Sequence, residues 1–430
     1  MPAMRFFLLI VPAAVASFVA LLIAMLVGLG ATAASAEETP STSSAAAKDT
    51  VREEVGKPLQ AAQELMKQKK FAEALAKIRE AETVPNRTAY ENYIIDRMRG
   101  SAAANNGDDE LAATSFESVV ASGRLPASEQ LRVIQAIAGT YFKIKNYAKA
   151  ASWSARYIKD GGIDPSMQDL LINSHYLSND FAEAASELKT LIDADEKAGR
   201  AASEVHLQLL LTSYQKLGNS AGSSAVLEKL LNSYPKKEYW QLAISHLVHR
   251  PGFAERLELD LLRLQLALGE LKRDSDFMAM GQLALEAGFP AEAKKVIDQG
   301  FAAGILGRGA EAERHKRLQN KVNRDAAEDL KTLGQGDADA EKAKGGDALL
   351  NTGYNYVLNG KFEQGLSMME KGLRKGNLKH PEDAKLHLGI AYYLAGDRSK
   401  SVQVLRGVQG ADGTSDLAHL WSVYIGGGKT

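Results

Sequence analysis

The chain of 430 residues contains no cysteine. Disulfides, thiolate metal centres and cysteine nucleophiles are excluded at once, and an oxidising compartment would suit it. Net charge is almost absent, formally −1 at pH 7, so there is no basic footprint for nucleic acid. Aromatic residues are few, at 7%, and sustained apolar–polar alternation is missing, which leaves an all-α chain as the expectation. Catalytic signatures are missing too. There is neither an HExxH zinc motif nor a GxSxG nucleophile elbow. The final GGGKT imitates a phosphate loop, but Val423 stands where the loop needs glycine, no strand leads in, and no helix follows Thr430.

Histidines and carboxylates give no site either. His246 and His249 are three residues apart and can share a helical face, but Glu238 and Glu255 nearby do not complete a zinc set. His175, His206, His387 and His419 each stand alone and read as surface or packing residues. Asp108-Asp109 and Glu53-Glu54 fall in a turn and a linker. No catalytic, cofactor-binding or metal-binding residue is assigned, and the expectation is a protein that is not an enzyme.

Beyond those absences the chain has a globular composition, 45% hydrophobic and 24% charged. Residues 6–29 form an uncharged apolar run behind Arg5. Ala34 and Ala36 provide a small-x-small boundary before Glu37. This is the pattern of a secretory signal peptide over 1–36, although the run is long enough to span a bilayer as an uncleaved anchor. Both readings place the remainder outside the cytoplasm: periplasmic, or anchored in the inner membrane and facing the periplasm. Residues 37–54 are rich in Ser, Thr and Ala and read as a flexible tether.

From there a unit recurs. Its clearest copy is 346–373, GDALLNTGYNYVLNGKFEQGLSMMEKGL. Leu349, Gly353 and Tyr356 share one helical face, Gly360 breaks the helix, and Gly365, Met369 and Gly372 repeat at helical spacing after Phe362. The small residue that opens the second helix serves as a ruler. It falls at Ala74, Ala112, Ala150, Ala184, Ser223, Ala293, Gly365 and Ser401. A period near 34–39 residues, each unit a helix pair, is the mark of a solenoid. A sixth unit begins at Trp240, Ala243 and Leu247 and degenerates after Pro251-Gly252. No good unit fills 305–345. There Leu318, Val322, Ala326, Leu330 and Leu333 predict one amphipathic charged helix, flanked by a flexible Gly-rich linker. The stretch 415–425, SDLAHLWSVYI, reads as a capping helix, and 426–430 as a tail.

These residues resemble the tetratricopeptide repeat (TPR) family over about 55–300 and 346–410. Gly365 departs from the family pattern, which usually has Ala there. The resemblance implies a TPR-type α-solenoid of about nine helix pairs: an array over 55–304, the insertion at 305–345, and a C-terminal pair with its cap over 346–425. It also implies a non-catalytic scaffold that binds proteins through the surface lined by first helices. Counted in the repeat frame, the groove-facing residues include Arg97, Arg132, Gln135, Phe142, Lys143, Asp169, Asn173, Tyr176, Gln208, Thr212, Gln215 and Lys216, with Phe142 and Tyr176 as aromatic anchors. The carboxylate clamp of some TPR proteins is not reproduced, because Asp169 stands where a lysine belongs beside Asn173. A narrower resemblance, on VGKPLQAAQELMKQKKFAEALAKIREA and LGIAYYLAGD…DLAHLWSVYI, is to periplasmic TPR proteins found with bacterial TonB-type transport systems. It implies protein partners of the cell envelope, no nucleic acid, and membrane contact only through an uncleaved N-terminal segment. An assembly or secretion factor of the envelope is the alternative, and an enzyme on a helical scaffold is disfavoured.

Overall fold

The structure, a computed structural model, describes residues 49–427. The signal or anchor segment, most of the tether and the last three residues of the GGGKT tail lie outside the described residues. The described residues hold twenty-one α-helices and no strand. They divide into two compact units, with the boundary between Ser220 and Ala221.

The first unit contains α1 (Glu53–Lys67), α2 (Phe71–Glu82), α3 (Ala89–Asn106), α4 (Asp109–Ala121), α5 (Ala127–Lys143), α6 (Tyr147–Lys159), α7 (Pro165–Leu177), α8 (Phe181–Lys197) and α9 (Glu204–Lys216). Each helix packs on the next, and first helices also meet first helices, α1 on α3 and α5 on α7. A lone helix pair of this size cannot bury its apolar face, so stacking is what makes it stable. One continuous core runs from Val55 to Leu170.

The ruler residues sit where the two helices of a pair touch. Ala74, Ala150, Ala184, Ala293 and Ser401 have no exposed surface at all. Five residues before each ruler residue the backbone enters the left-handed region: Lys69, Gly107, Lys145, Asn179, Gly218, Gly288, Gly360 and Gly396. That residue reverses the chain within a tight turn, which glycine does without strain and lysine does not. The following residue often caps the second helix, as Asp108, Asn146 and Asp397 do with their side-chain oxygens.

The second unit contains α10 (Ser220–Ser233), α11 (Lys237–Val248), α12 (Glu258–Ala267), α13 (Asp274–Glu286), α14 (Pro290–Ala302), α15 (Ala312–Thr332), α16 (Asp337–Lys342), α17 (Asp347–Leu358), α18 (Phe362–Lys375), α19 (Pro381–Leu394), α20 (Arg398–Arg406) and α21 (Thr414–Gly426). The tightest pair is α17 with α18. A methyl group on Gly365 would stand 2.5 Å from the Gly353 carbonyl oxygen, and one on Gly353 would stand 2.6 Å from that of Gly365. The departure from alanine at Gly365 thus answers a second glycine across the contact, which lets two backbones meet.

Several expectations change. Residues 49–54 are not free tether. Asp49 pairs with Arg124, and Arg52 with the buried Glu91, and α1 already begins at Glu53. Ion pairs and a helix N-terminus hold them although they bury little apolar surface. The sixth unit does not dissolve after Pro251-Gly252, because a 3-10 turn (Glu255–Leu257) leads into α12. The charged helix forms as α15 and buries Leu318, Val322 and Ala326, but Leu330 is exposed. The Gly-rich linker is held, not loose. It contains α16, buries Ala340, and is tied by Asp337 accepting from the Tyr356 hydroxyl at 2.8 Å and by the Glu341–Lys371 pair. With α15 packed on α13 and α14, and α16 on α17, the insertion takes the place of a helix pair with a shortened second helix.

The capping helix also differs. α21 packs on α19 and α20, as a cap would, but also on α11 and α12. The end of the second unit returns to its beginning, and a single core spans Ile244 to Ile425.

Candidate partner-binding stripe

The stripe lies in the first unit, on the first helices α5, α7 and α9. Arg132, Gln135, Phe142 and Lys143 follow one side of α5 at near-helical spacing, and Asp169, Asn173 and Tyr176 one side of α7. Gln208, Thr212 and Gln215 do the same on α9. The opposite sides are buried: Ile134, Ala138 and Tyr141 on α5, Leu170 and Leu171 on α7, Leu207, Leu210 and Leu211 on α9. The apolar period therefore fixes which way the stripe points.

Polar side chains link neighbouring first helices along this line. Arg97 on α3 pairs with Glu129 on α5 at 3.0 Å. Gln135 donates to Asp164, the residue capping α7, at 2.8 Å. Asp169 on α7 meets His206 Nε2 on α9 at 3.0 Å. Partners stand roughly one repeat apart, so the contact set repeats as the helices do. Hydrogen bonds from Ser166, most of all its backbone N–H, bring the Asp164 carboxyl below its usual range, with help from Gln135. The pairings of Glu129, Asp164 and His206 were not anticipated. Equal repeat positions on consecutive first helices were the signal that could have found them.

The individual residues divide into three groups. Lys143 is exposed and paired with Asp109 at 2.7 Å. Gln135 and Asp169 are used in the links above. Thr212 donates to the Gln208 carbonyl one turn back, at 2.9 Å. Phe142 and Tyr176 are half-buried and do not stand free as anchors. Each packs edge-on against the aromatic that opens the next helix, Phe142 on Tyr147 at 5.4 Å and Tyr176 on Phe181 at 5.3 Å. Burial pushes the Tyr176 phenol up accordingly. Both rings brace the turn within their own repeat. Arg132, exposed, and Asn173, half-buried, have no partner among the described residues. Gln215 and Lys216 on α9 are likewise exposed and have no side-chain partner among the described residues.

Other candidates resolve as structure. His249 donates from Nδ1 to the Ser245 carbonyl at 2.8 Å, a local bond within its own helix, and burial lowers the His246 pKa. Among the described residues no cluster of three or more His, Asp or Glu is placed to hold a metal ion. An open groove of about 610 Å3, lined by Arg398, Val402, Gln403, Arg406 and Ile425 among others, belongs to the second unit and contains none of the stripe.

Residues 59–128 match the sequence model of the tetratricopeptide repeat. That stretch covers most of α1 through α4, two helix pairs with the turn geometry just described. The helix pairs within 59–128 are tetratricopeptide repeats. No curated protein matches the chain in sequence. Among solved structures, a tetratricopeptide repeat protein from Parabacteroides merdae is 9% identical, with 77% of this chain and 98% of that one covered, at a TM-score of 0.27. Yeast Tom70 is 12% identical, with 86% and 95% covered, at a TM-score of 0.23. Likeness at that level adds nothing to the assignment, which rests on the matched repeats and on the helix-pair geometry. Members of the TPR family are generally non-catalytic scaffolds for binding proteins.

Proposed function

We propose that the chain is an exported scaffold that binds an extended segment of a protein partner along α5, α7 and α9. The observation that supports this most is the stripe itself. Its carboxylates Asp109, Glu129, Asp164 and Asp169 are already matched by side chains of the same unit, whereas Arg132 and Asn173 are ordered, accessible and uncommitted. Arg132 offers a charged donor, and the Asn173 amide both donates and accepts. That pair suits the peptide groups and polar side chains of an extended chain.

The place of action is read from residues 1–36: an apolar run, then Ala34-Ser35-Ala36, then an acidic start. We take the chain to work in the cell envelope, in the periplasm or on the outer side of the inner membrane. The narrower resemblance makes an energy-transducing transport complex of the TonB type its first candidate partner. An assembly factor for exported proteins is the second reading, favoured by the same stripe, since either would hold an extended segment.

The experiment is an envelope pull-down with the wild-type chain and with Arg132→Ala/Asn173→Ala, after circular dichroism shows that the variant folds. Mass spectrometry on the same material reads the mature N-terminus. The expected result is a start at Glu37, or Met1 retained in the membrane fraction, and a partner set that the double variant loses. An intact Met1 in the soluble cytoplasm ends the envelope reading. An unchanged partner set removes the stripe from consideration. Components of a TonB-type complex among the captured proteins separate the first reading from the second.

A further inference from the structure

The second unit closes on itself along a seam between α10–α12 and α19–α21. Arg256 grips Asp383 with two hydrogen bonds, at 2.7 and 3.0 Å, and reaches Asp412 at 2.5 Å. Arg250 pairs with Asp416 and donates to the Ala411 carbonyl. The Ala254 N–H donates to the Asp412 carbonyl at 2.9 Å. His387 meets Asp260 at 3.0 Å, and His419 meets Glu228 at 3.1 Å. The Tyr424 hydroxyl donates to the Ala267 carbonyl at 2.9 Å, and its ring lies edge-on to Trp240.

At the outer edge of this line charge is sorted. The arginines belong to the turn between α11 and α12, and their carboxylates to the start of α19 and to the segment that opens α21. The sorting favours this closure over a slipped one, because a shifted register would leave buried or facing charges unmatched.

The seam also differs from the junctions between successive helices. Those are joined by short turns of the chain, which keep the partners at high effective concentration. Across the seam the chain runs more than a hundred residues before it returns, as in the separation of 127 between Arg256 and Asp383. Its outer ion pairs are also wet. The side chains of Arg250 and Asp416 are 40% and 47% exposed. Salt therefore reaches them, while the apolar core of each helix pair is beyond its reach.

We propose that the outer edge of the seam is a salt-sensitive clasp: screening of Arg250–Asp416 and Arg256–Asp412 lets the segment that opens α21 draw away from the turn between α11 and α12, while the helix pairs and the core beneath, with the buried Asp260–His387 contact, stay closed. Opening uncovers Phe253, against which Gly413 closes the edge of the seam. The closed form returns when the charges are no longer screened.

The absence of native cysteine makes the test direct. Exposed Glu255→Cys and Ala411→Cys carry spin labels on the two sides of the seam. Exposed Gln282→Cys and Asn320→Cys, on α13 and α15, form a control pair in a second protein. Distance distributions are measured by pulsed electron spin resonance as salt rises from about 0.1 to about 1 M, which shortens the screening length from about 10 to about 3 Å. The expected result is a several-fold growth of a longer-distance population for the seam pair, with the control pair unmoved. Arg256→Ala in the seam-labelled chain should show at low salt what the parent shows at high salt. A seam distribution that ignores salt overturns the proposal. So does equal broadening of both pairs, which would mean general loosening. Should Arg256→Ala not fold, the salt series on the unsubstituted seam decides alone.

Discussion

The two units use polar residues in opposite ways. In the first, Arg97–Glu129, Gln135–Asp164 and Asp169–His206 run along the outside of the first helices, at half-exposed positions. In the second, Asp260, Arg263 and Glu292 are buried, and the Arg263 guanidinium bonds both carboxylates at 2.6–2.7 Å. It also lies over the rings of Phe289 and Tyr354, and His387 stacks on Tyr354. These residues come from α12, α14, α17 and α19 and the turn before α14, so the network fills the middle of a unit whose ends meet. A stack of repeats that stays open leaves its polar groups to solvent or to a partner. One that closes on itself must satisfy them internally, since an unmatched buried charge is costly.

The sharpest break in this comparison is Arg263→Ala. Burial alone would push the Arg263 pKa down. Glu292, Tyr354 and Asp260 overcome that and hold it well above its usual value. Asp260, by the same logic, is held below the carboxylate range by His387 and Arg263 in spite of burial. Removing the guanidinium leaves two buried carboxylates without their cation. The expected loss is about 3–5 kcal/mol, confined to the second unit. Hydrogen exchange followed by mass spectrometry should show faster exchange in α12, α14, α17 and α19 and little change in α1–α6. Equal acceleration in both units would contradict the view that each carries its own core.

The first unit has one buried charge of its own, and it responds to acid. Glu91 accepts from the Arg52 Nε and Nη2 atoms, each at 2.9 Å, and from the backbone N–H groups of Thr88 and Arg52. The Thr88 hydroxyl answers by capping the Glu91 N–H, a complete capping box. The Arg52 hydrogen bond is the main reason that the Glu91 carboxyl falls to about 2, against its burial. A folded pKa below the unfolded one gives stability that is present above about pH 4.5 and is lost as pH falls toward 2. Glu91→Gln should remove that part of the acid dependence and cost about 1–3 kcal/mol at neutral pH. Urea melts at pH 7 and pH 3 check it: the gap between variant and parent should narrow at the lower pH. A gap that stays constant would show that the Arg52 pairing contributes nothing.

The repeats were legible because packing is written at a fixed period. Ala74 to Ser401 mark the helix contacts, and the left-handed turn residue precedes each mark by the same interval. The edge-on contacts of Phe142 and Tyr176 are something the period cannot carry. Residues at the end of a first helix face the groove or the next helix's first side chain depending on rotamer, and Tyr147 and Phe181 capture them. The closure of the second unit was illegible for a different reason. Arg256, Asp383 and Asp412 are unremarkable surface charges until helices more than a hundred residues apart are brought together, and one sequence offers no local pattern for that. His387 looked solitary on the same ground.

The smallest effect sharpens the comparison of turns. Both units reverse their helix pairs with a left-handed residue. The second unit uses Gly288, Gly360 and Gly396, while the first uses Lys69, Lys145 and Asn179 at three of its turns. A lysine in that conformation costs roughly 1–2 kcal/mol relative to glycine, of which glycine's greater freedom in the unfolded chain returns a part. Lys145→Gly should therefore stabilise the first unit by up to about 1 kcal/mol. The exposed Lys145 side chain has no ion-pair or hydrogen-bond partner to lose among the described residues. The matching change in the second unit, Gly360→Lys, should destabilise by a similar amount. Denaturant midpoints of the two variants against the parent measure both. Two shifts of the same sign would mean that something other than backbone strain sets the residue at these turns.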